Sequence, residues 1–126
     1  SRPVNVLTTH SAWLMSSLVM GANGLLSGAG SVIADLQVAL FNAVRSNDIV
    51  KAKNINDSIF PLVQLFYKPP FLDMHNRMKE TLVLLNRIEK AFVRPPLMKL
   101  PLDEIEALRK VIKQINLTEH SKVLLQ

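Results

Sequence analysis

With 126 residues, 48% of them hydrophobic and 20% charged, the chain amounts to one globular domain or less, with enough apolar side chain for a real core. The absence of cysteine excludes disulfides and thiol chemistry and leaves the cytosol as the default compartment. A net charge of +5 admits anionic ligands, but the basic residues are spread along the second part of the chain rather than gathered with aromatics, which argues against nucleic-acid binding.

Residues 3–34 contain no Asp, Glu, Lys or Arg, a run long enough on length alone to span a bilayer. Asn5, His10, Asn23, several hydroxyls and all four glycines interrupt it, so it reads as a buried α/β core and no membrane partner is predicted. No basic region leads into a continuous apolar stretch at the N-terminus, so no secretory leader is predicted either.

The first element is a strand over 4–8, which exits into the polar cluster Thr8-Thr9-His10-Ser11. Ser11 or a neighbouring threonine is placed to cap a helix over about 11–20, and Gly21 suits its end. Residues 24–27, Gly-Leu-Leu-Ser, are too short for a helix and are closed by glycine on each side, so they read as a short buried strand. The glycine-rich turn that follows places bare backbone N–H groups beside that strand's tip, where an anionic group would suit them. A helix over 31–45 comes next, with Val32, Ile33, Leu36, Ala39, Leu40, Ala43 and Val44 on one face.

Strand, helix, strand and helix in that order predict parallel strands, because a crossover helix returns the chain to the same end. Two parallel strands make no stable sheet alone. The remaining strands must come from elsewhere, and no later segment supplies them. After a cap at Ser46-Asn47-Asp48 everything reads helical. Ala52, Ile55, Ile59, Leu62 and Phe66 line one long helix, with Pro61 expected to kink it and Lys68-Pro69-Pro70 to stop it. A further helix starts at Asp73 with Met74, Met78, Leu82 and Leu85 inward. Arg94-Pro95-Pro96 is a rigid connection, and the last helix starts near Pro101 with Ile105, Leu108, Ile112 and Ile115 inside. Residues 118–126 are expected to fray.

Gly21-Ala-Asn-Gly-Leu-Leu-Ser27 resembles the Gly-x-x-Gly-(Val/Ile)-Ile-Ser signature that precedes the last barrel helix in the dihydrodipicolinate synthase/N-acetylneuraminate lyase family. Asn47-Asp48 leading into Ala52, and then Leu65-Phe66, resemble that family's C-terminal helical extension. Within the family, the Leu-Leu-Ser-Gly-Ala-Gly-Ser turn and Asp73-Met-His-Asn-Arg-Met-Lys79 look most similar to the branch acting on 2-keto-3-deoxy sugar acids. The resemblance implies an α/β fold: residues 1–46 as the last two βα units of a (β/α)8 barrel, and 47–126 as the helical extension. A complete barrel needs roughly 250 residues. The chain is therefore expected to be a C-terminal piece of a longer or split enzyme, with the N-terminal remainder of the barrel as partner and a homodimer or homotetramer as assembly.

Family members bind a 2-keto acid as a Schiff base on a lysine borne by an earlier barrel strand, and need no cofactor. Here the first lysine is Lys51, in the helical tail, so the reactive lysine is expected outside this chain. What remains is pocket wall at the strand exits: Thr8, Thr9 and His10 on one, Leu26, Ser27 and Gly28 on the other, with His10 as an acid/base candidate. The dihydrodipicolinate branch has Ser-Gly-Asp-Asp where this chain has Thr8-Thr9-His10-Ser11, which favours a polyhydroxylated substrate. Helix capping by the threonines and a hydrogen-bonded structural histidine are the plainer alternatives. His75 and His120 have no partners at metal-ligand spacing, and no metal is predicted. Gly28-x-Gly30 lacks the third glycine of a dinucleotide fingerprint. Tyr67 and the Met74–Met78 stripe read as packing; Asp73, Glu80, Asp103, Glu104 and Glu106 read as helix-start and surface carboxylates. The rival function is a non-catalytic helical module that docks on another protein, which a native mass of 14.1 kDa would favour.

Overall fold

The computed structural model describes residues 2–117, in two compact units, Ser1–Phe60 and Pro61–Gln126. The first unit opens with two strands, β1 (Leu7–Thr8) and β2 (Gly24–Leu25), paired in parallel with Leu7 opposite Gly24 and Thr8 opposite Leu25. Between them runs a 3₁₀ turn, Ser11–Trp13, continued by α1 (Leu14–Val19). After β2 comes α2 (Gly30–Arg45), interrupted at Ile33 (φ −126°, ψ 39°). The strand–helix–strand–helix order and the parallel sense are those the sequence predicts.

The strands are shorter than predicted, two residues each instead of 4–8 and 24–27. The pair has no further strand beside it among the described residues, so local side chains end the ladder. Asn23 takes over at one end: its Oδ1 accepts the Val6 N–H at 2.8 Å and its own N–H donates to the Val6 carbonyl at 2.7 Å. At the other end the Leu26 N–H donates to the Thr8 carbonyl at 2.8 Å, and β1 then turns into the helix cap. Val4 and Val6 are left 80% and 62% exposed, as a strand without neighbours must be.

Two glycines are placed by geometry. Gly21 ends α1 in the left-handed region (φ 105°), open to glycine without steric cost. A Cβ on Gly24 would lie 2.9 Å from Leu7 Cδ2, so glycine lets the exposed Leu7 side chain lie across β2 as it does. α1 packs on α2 through Leu14, Leu18, Val32, Ile33 and Leu40, all buried. Each such side chain contributes about 1.5–3 kcal/mol of burial. On α2 the predicted face is recovered at Val32, Ile33, Leu40 and Ala43; Leu36, Ala39 and Val44 are half-buried, and Gln37 joins the buried set.

α3 (Ile49–Phe66) follows Asn47 in the left-handed region (φ 59°), and Asp48 Oδ1 caps it by accepting the Lys51 N–H at 3.0 Å. The helix continues through Pro61, where a kink was expected. In the second unit a 3₁₀ turn, Phe71–Asp73, leads into α4 (Met74–Leu84), and α5 (Leu102–Gln114) packs against α4. Leu108 and Ile112 are buried on α5 as predicted, while Ile105 and Ile115 are half-buried. Four helices follow residue 29, and no strand occurs after Leu25 among the described residues.

On α4 the prediction holds only at Met78. Met74, Leu82 and Leu85 are only half-buried, and the buried residues are Asn76, Arg77, Met78, Glu80 and Thr81. The reason is a polar anchor. Arg77, 1% exposed, donates Nε–H to Glu104 Oε2 at 2.9 Å and Nη1–H to the Lys68 carbonyl at 2.6 Å. Longer bonds reach the carbonyls of Phe66 and Pro70 at 3.3 Å. One guanidinium thus satisfies the carbonyls at the end of α3 and in the proline turn, and this draws the polar side of α4 inward. Glu80 and Glu104 are accordingly not surface carboxylates: Glu80 is 7% exposed, and Glu104 is the buried arginine's ion partner. The predicted fraying of 118–126, and His120, lie outside the described residues.

Candidate functional site

The parallel register sets the C-terminal ends of β1 and β2 side by side, and the polar residues of both exits meet there. Ser11, 2% exposed, has its Oγ 2.6 Å from Ser27 Oγ. Gln37, 5% exposed, reaches across from α2 and donates Nε2–H to the same Ser27 Oγ at 2.9 Å. Ser27 is therefore a junction between the two exits and α2, and its hydroxyl is engaged inside the protein. Thr8 Oγ1 donates to Ser17 Oγ at 3.0 Å, which commits that hydroxyl to α1.

His10, and not Ser11 or a threonine, caps the helix: its Nδ1 accepts the Ala12 N–H at 3.2 Å. Ser11 is withdrawn from capping because Ser27 holds it. The imidazole also lies 6.3 Å from the Trp13 ring, centroid to centroid. With Nδ1 accepting, the neutral ring carries its proton on Nε2. From Gly30 onward the N–H groups expected to be bare are taken up within the chain: those of Gly30 and Val32 donate to the carbonyls of Ser27 and Ala29 at 3.0 and 2.9 Å.

The six predicted residues fall into two groups. Thr8, Thr9 and His10 line a groove of about 600 Å³ along β1 and α1, walled by Val6, Leu7, Trp13 and Met20. Leu26, Ser27 and Gly28 do not line it, although Leu26 is 71% exposed on the neighbouring exit. Trp13 and Met20 are 63% and 88% exposed, so this groove presents an apolar face. Gln37 was the residue missed. Its signal was present: a glutamine on the inner stripe of α2, between Ile33 and Leu40.

No described lysine stands at either exit, since the first, Lys51, is exposed on α3. Among the described residues no three His, Asp or Glu side chains converge as a metal site, and no helix is long and apolar enough to cross a membrane.

The family model of the dihydrodipicolinate synthetase family matches residues 4–115. The chain belongs to the dihydrodipicolinate synthetase family. YagE of Escherichia coli K12, provisionally named a 2-dehydro-3-deoxy-D-gluconate aldolase, is 30% identical over 115 residues, 89% of this chain and 36% of its own. The solved structure of YagE in complex with pyruvate superposes with a TM-score of 0.79 at 26% identity, over 90% of this chain and 37% of that one. Dihydrodipicolinate synthase from Oceanobacillus iheyensis gives 0.81 at 21% identity, over 90% and 38%. The fold is thus the C-terminal portion of this family's barrel, and the chain spans about 36% of the length of the curated relative it matches.

The Ser27 junction predicts its own energetics. Gln37→Leu and Ser27→Ala are each expected to cost about 1 kcal/mol in urea unfolding followed by Trp13 fluorescence. The double variant should cost less than the sum by about 0.5 kcal/mol or more. Strict additivity would mean that Gln37 and Ser27 do not act as one network.

Proposed function

We propose that this chain is the C-terminal part of a Schiff-base lyase acting on a 2-keto acid. The reaction is aldol cleavage or dehydration of a 2-keto-3-deoxy sugar acid, of which 2-keto-3-deoxyarabonate is an example. Residues 1–46 supply the last two βα units and 47–126 the helical extension. Thr8, Thr9, His10, Leu26, Ser27 and Gly28 line the substrate pocket, and the reactive lysine lies on an earlier strand outside these residues. That lysine's imine is the electron sink, so no cofactor is required. The N-terminal remainder of the barrel is the obligate partner, and the complete enzyme is a cytoplasmic homodimer or homotetramer.

The observation that carries this reading is the parallel register of β1 and β2, which sets hydroxyls and an imidazole at one end of the strands and no lysine among them. Barrel enzymes work at that end. A lysine must be desolvated or set beside another cation to become nucleophilic near neutral pH, and the exposed lysines of α3 have no such setting.

The test is imine trapping. Incubated with pyruvate and borohydride, the 126-residue chain should remain unmodified by mass spectrometry, and the longer protein should gain one adduct on a lysine N-terminal to residue 1. An adduct on any lysine of this chain, or none on the longer protein, overturns the reading.

A further inference from the structure

A second cavity, of about 460 Å³, lies wholly within the second unit, between α4 and the irregular segment 89–99. Its charge is arranged in depth. Glu80 is 7% exposed and belongs to the wall, yet its carboxylate makes no hydrogen bond or ion pair with any described residue. Half-buried Val83, Ala91, Val93 and Leu97 form the apolar sides. Lys90 and Lys99 stand at the exposed rim.

The cavity is held in shape from α4. Lys79 Nζ donates to the Phe92 carbonyl at 2.5 Å, and Asn76 Nδ2 donates to the Met98 carbonyl at 2.6 Å. Both residues precede Glu80 on the helix, and between them they fasten the facing segment at Phe92 and at Met98. Most of Glu80 is withdrawn from solvent, so a cation that reaches its carboxylate through the cavity meets a charge screened less than one on the open surface. A second carboxylate of the lining, Glu89, is exposed, and no third acid or imidazole joins the pair among the described residues, too few for a divalent cation, which takes several oxygen ligands. Ligand pockets of this size combine apolar walls with few polar groups, the arrangement found here.

The geometry points to a binding site for a small organic ammonium ion. Its N–H groups donate to Glu80, and its hydrocarbon body lies against Val83, Ala91, Val93 and Leu97. This assignment does not rest on the lyase reading. It needs no bond to form or break.

The experiment titrates the protein with n-hexylammonium chloride, read by calorimetry and by backbone amide shifts over residues 80–99, with n-hexanol as the uncharged control. Saturable one-to-one binding is expected, at least tenfold tighter than hexanol and weakened at least tenfold by Glu80→Gln, the effect of a hydrogen bond to a charged group. Val83→Phe, which keeps the acid and fills the cavity, should abolish binding, and circular dichroism checks that both variants fold. No saturable shift, equal binding of hexanol, or unchanged affinity in Glu80→Gln overturns the site. So does a shift of the Lys90 or Lys99 Nζ signals when Glu80→Gln is made without ligand, since a rim lysine would then be the partner of the acid.

Discussion

Arg77→Met is expected to destabilise the second unit by about 3–5 kcal/mol, measured by urea unfolding monitored by far-UV circular dichroism. Methionine restores most of the lost volume, so the loss is polar. It leaves the carbonyls of Phe66, Lys68 and Pro70 without their shared donor, and Glu104 without its hydrogen-bonded cation. Arg77→Lys should recover only part of this, because a single ammonium cannot span acceptors set around a planar guanidinium. Lys68 stays 3.5 Å from Glu104, at a more exposed site, and cannot replace the buried donor. A loss below about 1 kcal/mol for Arg77→Met would mean that water satisfies the carbonyls as well as arginine does.

The same pair gives a pH signature. The Arg77 hydrogen bond holds the Glu104 carboxyl below the usual glutamate range, against burial, which pushes it up; the charges of Arg77 and Lys68 add to the lowering. A lowered folded value means that the unfolded chain binds the proton first as pH falls. The stabilisation is therefore complete above the ordinary carboxylate value and is lost as pH drops through the folded value. The urea midpoint should be flat near neutrality and fall below about pH 4. Glu104→Gln should lower the neutral midpoint and flatten that acid limb. An identical acid limb in both proteins would assign the fall to other carboxylates.

Helix positions were legible because they rest on local signals. The period of Val32, Ile33 and Leu40, the Asp48 cap and Pro101 each act within a turn or two of their own residue. The buried face of α4 was not legible, since its polar anchor joins Arg77 to Glu104, 27 residues away, and to carbonyls whose side chains carry no information. The caps show the same limit in miniature. Ser11 and His10 are both able to cap, and the choice was made by Ser27, 16 residues on from Ser11. Strand length depended on neighbours, and the four-residue exit Thr8-Thr9-His10-Ser11 cannot announce how many strands will stand beside it. At the site, the order of the two exits was readable from the glycines and hydroxyls. The internal engagement of Ser27 by Gln37 required the folded α2.

In the complete enzyme, on the proposed reading, His10→Ala is expected to lower kcat/KM about 10²-fold. His10 leaves β1 at the strand end where barrel enzymes act, and Nδ1 is occupied by the Ala12 N–H. The neutral ring then offers Nε2–H as its donor. A donor aimed at the sugar-acid hydroxyl gains strength as that oxygen takes up charge during bond cleavage, so the loss should fall on kcat as well as KM. Alanine also removes the helix cap, worth about 1 kcal/mol, and by itself would confuse the two roles. His10→Asn separates them: asparagine caps well but cannot place a donor where Nε2 lies. The Asn variant should therefore melt like the wild type and still lose about 10²-fold in kcat/KM. An Asn variant with wild-type kinetics, beside an Ala variant that only melts earlier, would leave His10 with the cap alone. A change confined to KM would make it a ground-state hydroxyl contact, because an interaction equally strong before and during bond breaking cannot speed the chemical step.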